Sequence, residues 1–168
     1  IDENCIRPVF NDADLFTIKV QVKTTGLSTV EDKYKAFIKQ AIRARKDYRG
    51  SGTPTMFTTE DALTEMLLLE DGMGRQLYTD EAALARKLRV AKIVTIPEME
   101  GRKGAKGGDL AAVIVNLADY TVGADKGGAV SMFDDFDIDF NAQKYLIETR
   151  CSGALTSPYS AMAIEWAA

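Results

Sequence analysis

Phe16, Ile18, Val20 and Val22 alternate with Thr17, Lys19 and Gln21, the two-residue period of a strand with one buried face, so the pattern predicts a strand over 15–23. Thr24-Thr25-Gly26 then turns the chain. Ser28-x-x-Glu31 reads as a capping box ahead of Val30, Tyr34, Phe37, Ile38, Ala41 and Ile42, which recur at helical spacing. That helix is expected over about 29–48, before the breakers Gly50-Ser51-Gly52-Thr53-Pro54. A second helix, capped by Thr58 or Thr59, takes Leu63, Met66 and Leu67 as its apolar stripe, with Gly72 placed where a helix end favours positive φ. A third, short helix fits Asp80 to Arg89. Val90 to Ile96 is rich in β-branched residues and stops at Pro97, while 101–108 holds no apolar residue larger than Ala and reads as an exposed, flexible loop.

From Asp109 the pattern changes, because apolar runs follow one another without a helical period. Leu110 to Leu117 reads as a buried strand. Phe136, Ile138 and Phe140 alternate with Asp135, Asp137 and Asp139. Tyr145, Ile147 and Thr149 alternate with Leu146, Glu148 and Arg150, and Ala161 to Trp166 closes the chain. Gly123-Ala124-Asp125-Lys126-Gly127-Gly128 is expected to turn between strands. Helices in the middle and strands towards both ends predict an α+β fold, its sheet assembled from distant segments and covered by the middle helices. No internal repeat is visible.

The 168 residues suffice for a substantial core. Composition matters most through the absence of histidine, which removes the commonest general base and the commonest transition-metal ligand together. Serine-histidine and cysteine-histidine catalysis are excluded, and the expectation is a protein that is not an enzyme. Cys5 and Cys151 stand far apart with no paired motif, so neither a disulfide framework nor a zinc site is expected. The longest unbroken apolar run, Leu110 to Val115, is far shorter than a membrane helix, and no membrane partner is expected. The first residue is Ile rather than Met, which reads as a chain lacking an N-terminal portion.

Three patterns invite chemistry. The run Phe133-Asp134-Asp135-Phe136-Asp137-Ile138-Asp139-Phe140 clusters carboxylates as a hard cation would require. Counted from Asp135, however, the sixth position is Phe140 and the twelfth Leu146, so both the turn glycine and the bidentate glutamate of a calcium loop are missing. Strand alternation, aromatics inward and Asp135, Asp137 and Asp139 outward, explains the run more simply and discourages edge-to-edge aggregation. The second pattern is basic: Lys35, Lys39, Arg43 and Lys46 follow one helical face within the basic stretch 33–49. A net charge of −4 and the acidic residues Glu60, Asp61, Glu65, Glu70 and Asp71 argue against a dedicated nucleic-acid binder and favour a solvated face, or a contact with an acidic face of a neighbouring copy. Third, the glycine clusters lack phosphate-loop spacing, and Ser152 beside Gly153 has no nucleophile-elbow context. No cofactor is expected.

Three segments together resemble a known family: Phe57 to Tyr78, Leu117 to Gly128, and Phe133 to Asn141 followed by Tyr145-Leu-Ile-Glu-Thr-Arg150-Cys-Ser-Gly153-Ala-Leu-Thr-Ser-Pro158. They are similar to the major capsid proteins of tailed bacteriophages and prophages, and the similarity covers most of the chain. The resemblance implies the Hong Kong 97-type capsid fold, with 1–128 as axial domain, 129–157 as peripheral-domain strands and 158–168 as a final strand returning to the axial sheet. The N-terminal arm, extended loop and spine helix of that family find no counterpart here. The function it implies is structural: a virion subunit, made in the bacterial host cytoplasm, that self-assembles through hexamers and pentamers into an icosahedral head around double-stranded DNA. Partners would be other copies, scaffold, portal and head-completion proteins, with DNA held only non-specifically. Candidate subunit contacts are Lys35, Lys39, Arg43, Lys46, Arg102, Lys103, Lys106, Asp135, Asp137, Asp139 and Arg150. Some family members join subunits through a Lys and an Asn. Asn141 stands in a suitable region, but without the extended loop no crosslink is expected. The alternatives are a head-completion or tail adaptor, or a Mg2+-dependent enzyme using Asp134, Asp135, Asp137 and Asp139.

Overall fold

The apolar run Leu110 to Val115 forms a strand buried at every position, the pattern of a strand covered on both faces. A computed structural model describes the chain at residues 16–24, 26, 29–124, 131–137, 140, 142–148 and 150–167. The elements are β1 (Thr17–Val22), α1 (Val30–Ala44), β2 (Thr55–Thr58), α2 (Glu60–Leu67), α3 (Glu81–Leu88), β3 (Ile93–Thr95), β4 (Leu110–Val115), β5 (Tyr120–Ala124), β6 (Ser131–Asp137), β7 (Ala142–Glu148), β8 (Cys151–Leu155) and β9 (Ala161–Trp166). This is the expected α+β arrangement.

A five-stranded sheet runs in the order β1, β9, β4, β2, β3. β1 pairs parallel to β9 and β2 parallel to β3, while β4 is antiparallel to both β2 and β9. Strands from both ends of the chain thus meet at β1 and β9. The faces divide by residue parity: Met162 and Ile164 of β9 join a core with Phe37, Ile38 and Ala41 of α1, Leu63 and Met66 of α2, and Leu84 and Leu88 of α3. Ala161 and Ala163 turn to the other face, with Phe57, Ile96, Met99, Val113 and Leu155. Trp166 extends the first core, meeting the Tyr34 ring edge-on at 5.4 Å and the Phe37 ring at 5.7 Å.

Local chemistry sets the helix ends. Thr29, rather than Ser28, caps α1: its Oγ1 accepts from the Asp32 amide at 3.2 Å and donates to the Asp32 carboxylate at 2.9 Å. α1 stops at Ala44 and tightens into a single turn of 3-10 helix over Arg45–Asp47. Thr59 caps α2 through the Ala62 amide. That helix ends at Leu67, so Gly72 closes nothing. Positive φ belongs instead to Gly74, inside a short hairpin tied by Leu77 N–H to the Leu69 carbonyl and Asp71 N–H to the Arg75 carbonyl, both 2.8 Å. Asp80 caps α3 by accepting from the Ala83 amide at 2.6 Å, and Arg89 closes that helix in the left-handed region at φ 58°.

The β-rich end differs from the pattern. β5 and β8 form one two-stranded sheet and β6 and β7 another. Phe133, Phe136 and Phe140 do not face inward: Phe136 is 52% and Phe140 79% exposed. Tyr145, Leu146 and Ile147 are exposed as well, because among the described residues no second layer covers either face of the two-stranded ribbon. Ile138, Asp139, Asn141, Thr149 and residues 125–130, where a turn is expected, lie outside the described residues.

Candidate functional site

The basic helix face meets an apolar surface. The spacing of Lys35, Lys39 and Arg43 places them in a row along α1, one turn apart. Ile38 and Ile42 lie along the same edge, and the hairpin after α2 brings Leu69, Leu77 and Tyr78 opposite. Lys87 of α3 completes the wall. The resulting groove has a volume of about 450 Å³, an apolar floor and a cationic rim. Lys35 pairs with Glu31 at 3.2 Å one turn away, an exposed pair of small energetic weight. Lys46 lies beyond this groove, in a smaller recess shared with Arg45, Lys87 and Arg89. The basic stripe is therefore split: three cations line the groove and the fourth does not.

Around the recess, burial tunes the neighbouring groups. The Arg45 guanidinium lies over the Tyr48 ring at 4.3 Å and donates from Nη2 to the Arg89 carbonyl at 3.2 Å. Desolvation lowers the Arg45 pKa and raises that of the Tyr48 phenol. Tyr34, on the α2 side of α1, has a raised pKa from burial, with Glu65 and Asp61 adding to it. Burial also raises Tyr78 at the groove.

The second basic cluster is a clasp. Arg102 Nε donates to the Glu98 carbonyl at 2.6 Å, and the Lys103 ammonium meets the Asp109 carboxylate at 2.6 Å. The Lys106 amide donates to both oxygens of Glu165, a carboxylate almost fully buried in β9. Gly104 lies against the Glu165 side chain and Gly108 against the Trp166 carbonyl, so closely that neither position has room for a Cβ. The segment is the largely exposed loop expected, and Gly104 and Gly108 let it approach β9 closely.

Of the aspartate run, the side chains of Asp134 and Asp135 are described. Asp135 is exposed and accepts from the Phe136 amide at 2.9 Å, in register with Lys144 across the ribbon, and Asp134 faces Tyr145. The side chains of Asp137 and Asp139 lie outside the described residues. Arg150 is exposed and pairs with Glu148 at 2.9 Å. Among the described residues no group of three metal-ligating side chains comes together. Cys151 is a free, exposed thiol.

Sequence reasoning missed two buried carboxylates, Asp119 and Glu165. Asp119 accepts from the Ser51 amide and hydroxyl, both at 2.7 Å, and its carbonyl accepts from the Thr156 amide, joining the 50–53 turn to the segment entering β9. A lone acid inside the apolar run Ala161 to Trp166 was the readable signal for Glu165. Asp119 offered only the Asn116-Leu-Ala-Asp119 spacing, in which the Asn116 side chain accepts from the Ala118 amide at 3.1 Å. These groups anchor loops: Asp119 holds the 50–53 turn and Glu165 holds the 104–108 segment.

No protein-family model and no curated protein matches the chain. Solved structures do. The capsid of an empty GTA particle superposes with a TM-score of 0.58 over 92% of this chain at 15% identity, and covers 50% of that chain. A virus-like particle from Pyrococcus furiosus matches with a TM-score of 0.58 over 98% of this chain at 12% identity, covering 61% of the other. A structure from Mycobacterium phage Ogopogo matches with a TM-score of 0.51 over 90% of this chain and 54% of the other, at 12% identity. The chain spans about half to three-fifths of the length of these structures. Nearly all of it superposes on them, and the chain has the phage-capsid fold, of Hong Kong 97 type, that its sequence resemblance implies.

Proposed function

We propose that this chain is a major capsid subunit of a tailed phage or prophage, which self-assembles into an icosahedral head enclosing double-stranded DNA. The observation that carries the reading is the superposition of 90–98% of the chain on capsid and virus-like-particle structures. In this reading 1–128 is the axial domain, 129–157 supplies peripheral-domain strands and 158–168 is a final strand returning to the axial sheet, a division supported by the pairing of β9 with β1 and β4. A shell subunit needs no bond-making site. It needs surfaces that stay uncovered until neighbours arrive, and the apolar β6–β7 ribbon is such a surface. Capsomer partners are then other copies of the chain. Scaffold, portal and head-completion proteins would join during assembly, with DNA bound without sequence preference.

Negative-stain electron microscopy of the full chain expressed in a bacterial host tests this. Closed, uniform polyhedral shells are expected. Rings alone would favour an adaptor of the head or tail, and a protein that stays monomeric at high concentration would overturn the capsid reading.

A further inference from the structure

The groove along α1 and the corner formed by α2 and its following hairpin are complementary in charge and in polarity. Lys39, Arg43 and Lys87 rim the groove over a floor of Ile38, Ile42 and Leu69, and among the described residues no acidic side chain lines it. At the corner, Glu65 and Glu70 flank Leu68, which is 54% exposed, and Met73, which is 81% exposed, is the most exposed large apolar side chain among the described residues. Adjacent residues divide the two surfaces: Leu69 is buried and lines the groove, while Leu68 turns outward. One copy therefore presents both a cationic, apolar-floored groove and an acidic corner with exposed apolar residues.

We propose that the groove is the seat for this corner of a second copy, with Leu68 and Met73 entering over Ile38 and Ile42 while Glu65 and Glu70 meet Lys39, Arg43 and Lys87. The inference rests on the capsid reading and names the contact through which neighbours would join. Its geometry suits that role. A contact between two different patches propagates from copy to copy, as a ring where its rotation closes and as an open filament where it does not, whereas a patch that met itself would stop at a pair. Apolar contact supplies the attraction and the charges set the register and the choice of partner. The β6–β7 ribbon suits the groove less well, because its Asp135 already faces Lys144 across the strands.

Charge reversal tests the contact in the full chain by sedimentation velocity. Lys39→Glu with Arg43→Glu should weaken self-association about tenfold or more, and Glu65→Lys with Glu70→Lys should do the same. The chain carrying all four should recover it. Mixing the two double variants should also recover association, since each would then offer the charge that the other's groove requires. Carbodiimide coupling of unlabelled with isotope-labelled wild-type chain should join Lys39 or Lys87 of one copy to Glu65 or Glu70 of another, a readout independent of whether any variant folds. Loss of association in the groove variant alone, unaltered association in every variant, couplings at other acids such as Asp134, or a monomeric wild type would each overturn the proposal. Electron microscopy separates the two readings. Shells formed equally by all variants would retain the capsid function and remove this contact, whereas association through this contact without shells would do the reverse.

Discussion

Gly104 and Gly108 show how a single residue type can mislead. Both sit in a stretch whose composition reads as a flexible linker, yet each lies where a Cβ would collide, with Glu165 in one case and the Trp166 backbone carbonyl in the other. Gly108→Ala is therefore expected to cost about 1–3 kcal/mol through forced displacement of β9. Gly72→Ala, where no atom lies within 4 Å and φ is not positive, should leave stability unchanged or slightly raised. Urea denaturation of the two variants separates the readings, and equal behaviour would show that the clasp does not close against β9. Asp119 belongs to the same scale. It is 7% exposed, and both of its carboxylate oxygens accept hydrogen bonds from Ser51, so Asp119→Ala should lose about 1.5–3 kcal/mol, the range for hydrogen bonds to a charged group. A loss below about 0.5 kcal/mol would place that carboxylate in water rather than at the joint between 50–53 and β9.

At the scale of elements, the sequence was most readable where one rule acted alone. The helical stripe of α1 and the alternation of Ile18, Val20 and Val22 in β1 follow from burial against one core, and the unbroken apolar run of β4 from burial between two. What it hid were elements defined by partners. β2 has only four residues and is a strand because it pairs with β3 on one side and β4 on the other. β5 and β8 find each other across the chain, with Gly153 leaving room for the Tyr120 ring. The basic row was legible as a row, but the groove beneath it depends on where the 69–77 hairpin returns, and no local pattern encodes that. Packing of α1 also has a titration consequence. Tyr34, Tyr48 and Tyr78 all have phenol pKa values raised above 10.0, chiefly by burial. A raised folded pKa means that the neutral phenol is favoured in the folded state, so their contribution is full below pH 10 and declines as the pH rises above it, because unfolding then releases phenols that ionise more readily. Stability measured by denaturant should fall progressively above pH 10, and the Tyr78→Phe variant should lose less over that window. An identical decline in wild type and variant would assign the alkaline instability to other groups.

For the molecule as a whole, the question is why a chain with a well-filled two-faced core leaves its other end bare. One face of the β6–β7 ribbon carries Met132, Phe136, Tyr145 and Ile147, with Asp134 as its charge, and the register places these residues side by side. A two-stranded ribbon of this kind is marginal in water unless something covers it. Exposed apolar side chains grouped on one surface mark contact sites on proteins that are otherwise soluble. The stability of the five-stranded sheet does not depend on that face, since both of its cores are built from other residues. Replacing Phe136 and Ile147 by Ser is therefore expected to leave the main unfolding transition within about 0.5 kcal/mol of wild type while abolishing shell formation and lowering self-association. A shift of the main transition by more than about 2 kcal/mol would show that the ribbon belongs to the folding core. Normal shells from a stable double variant would show that its apolar face is a bystander in assembly. Because the variant separates folding from assembly, it tests whether this ribbon is built to be completed by its neighbours.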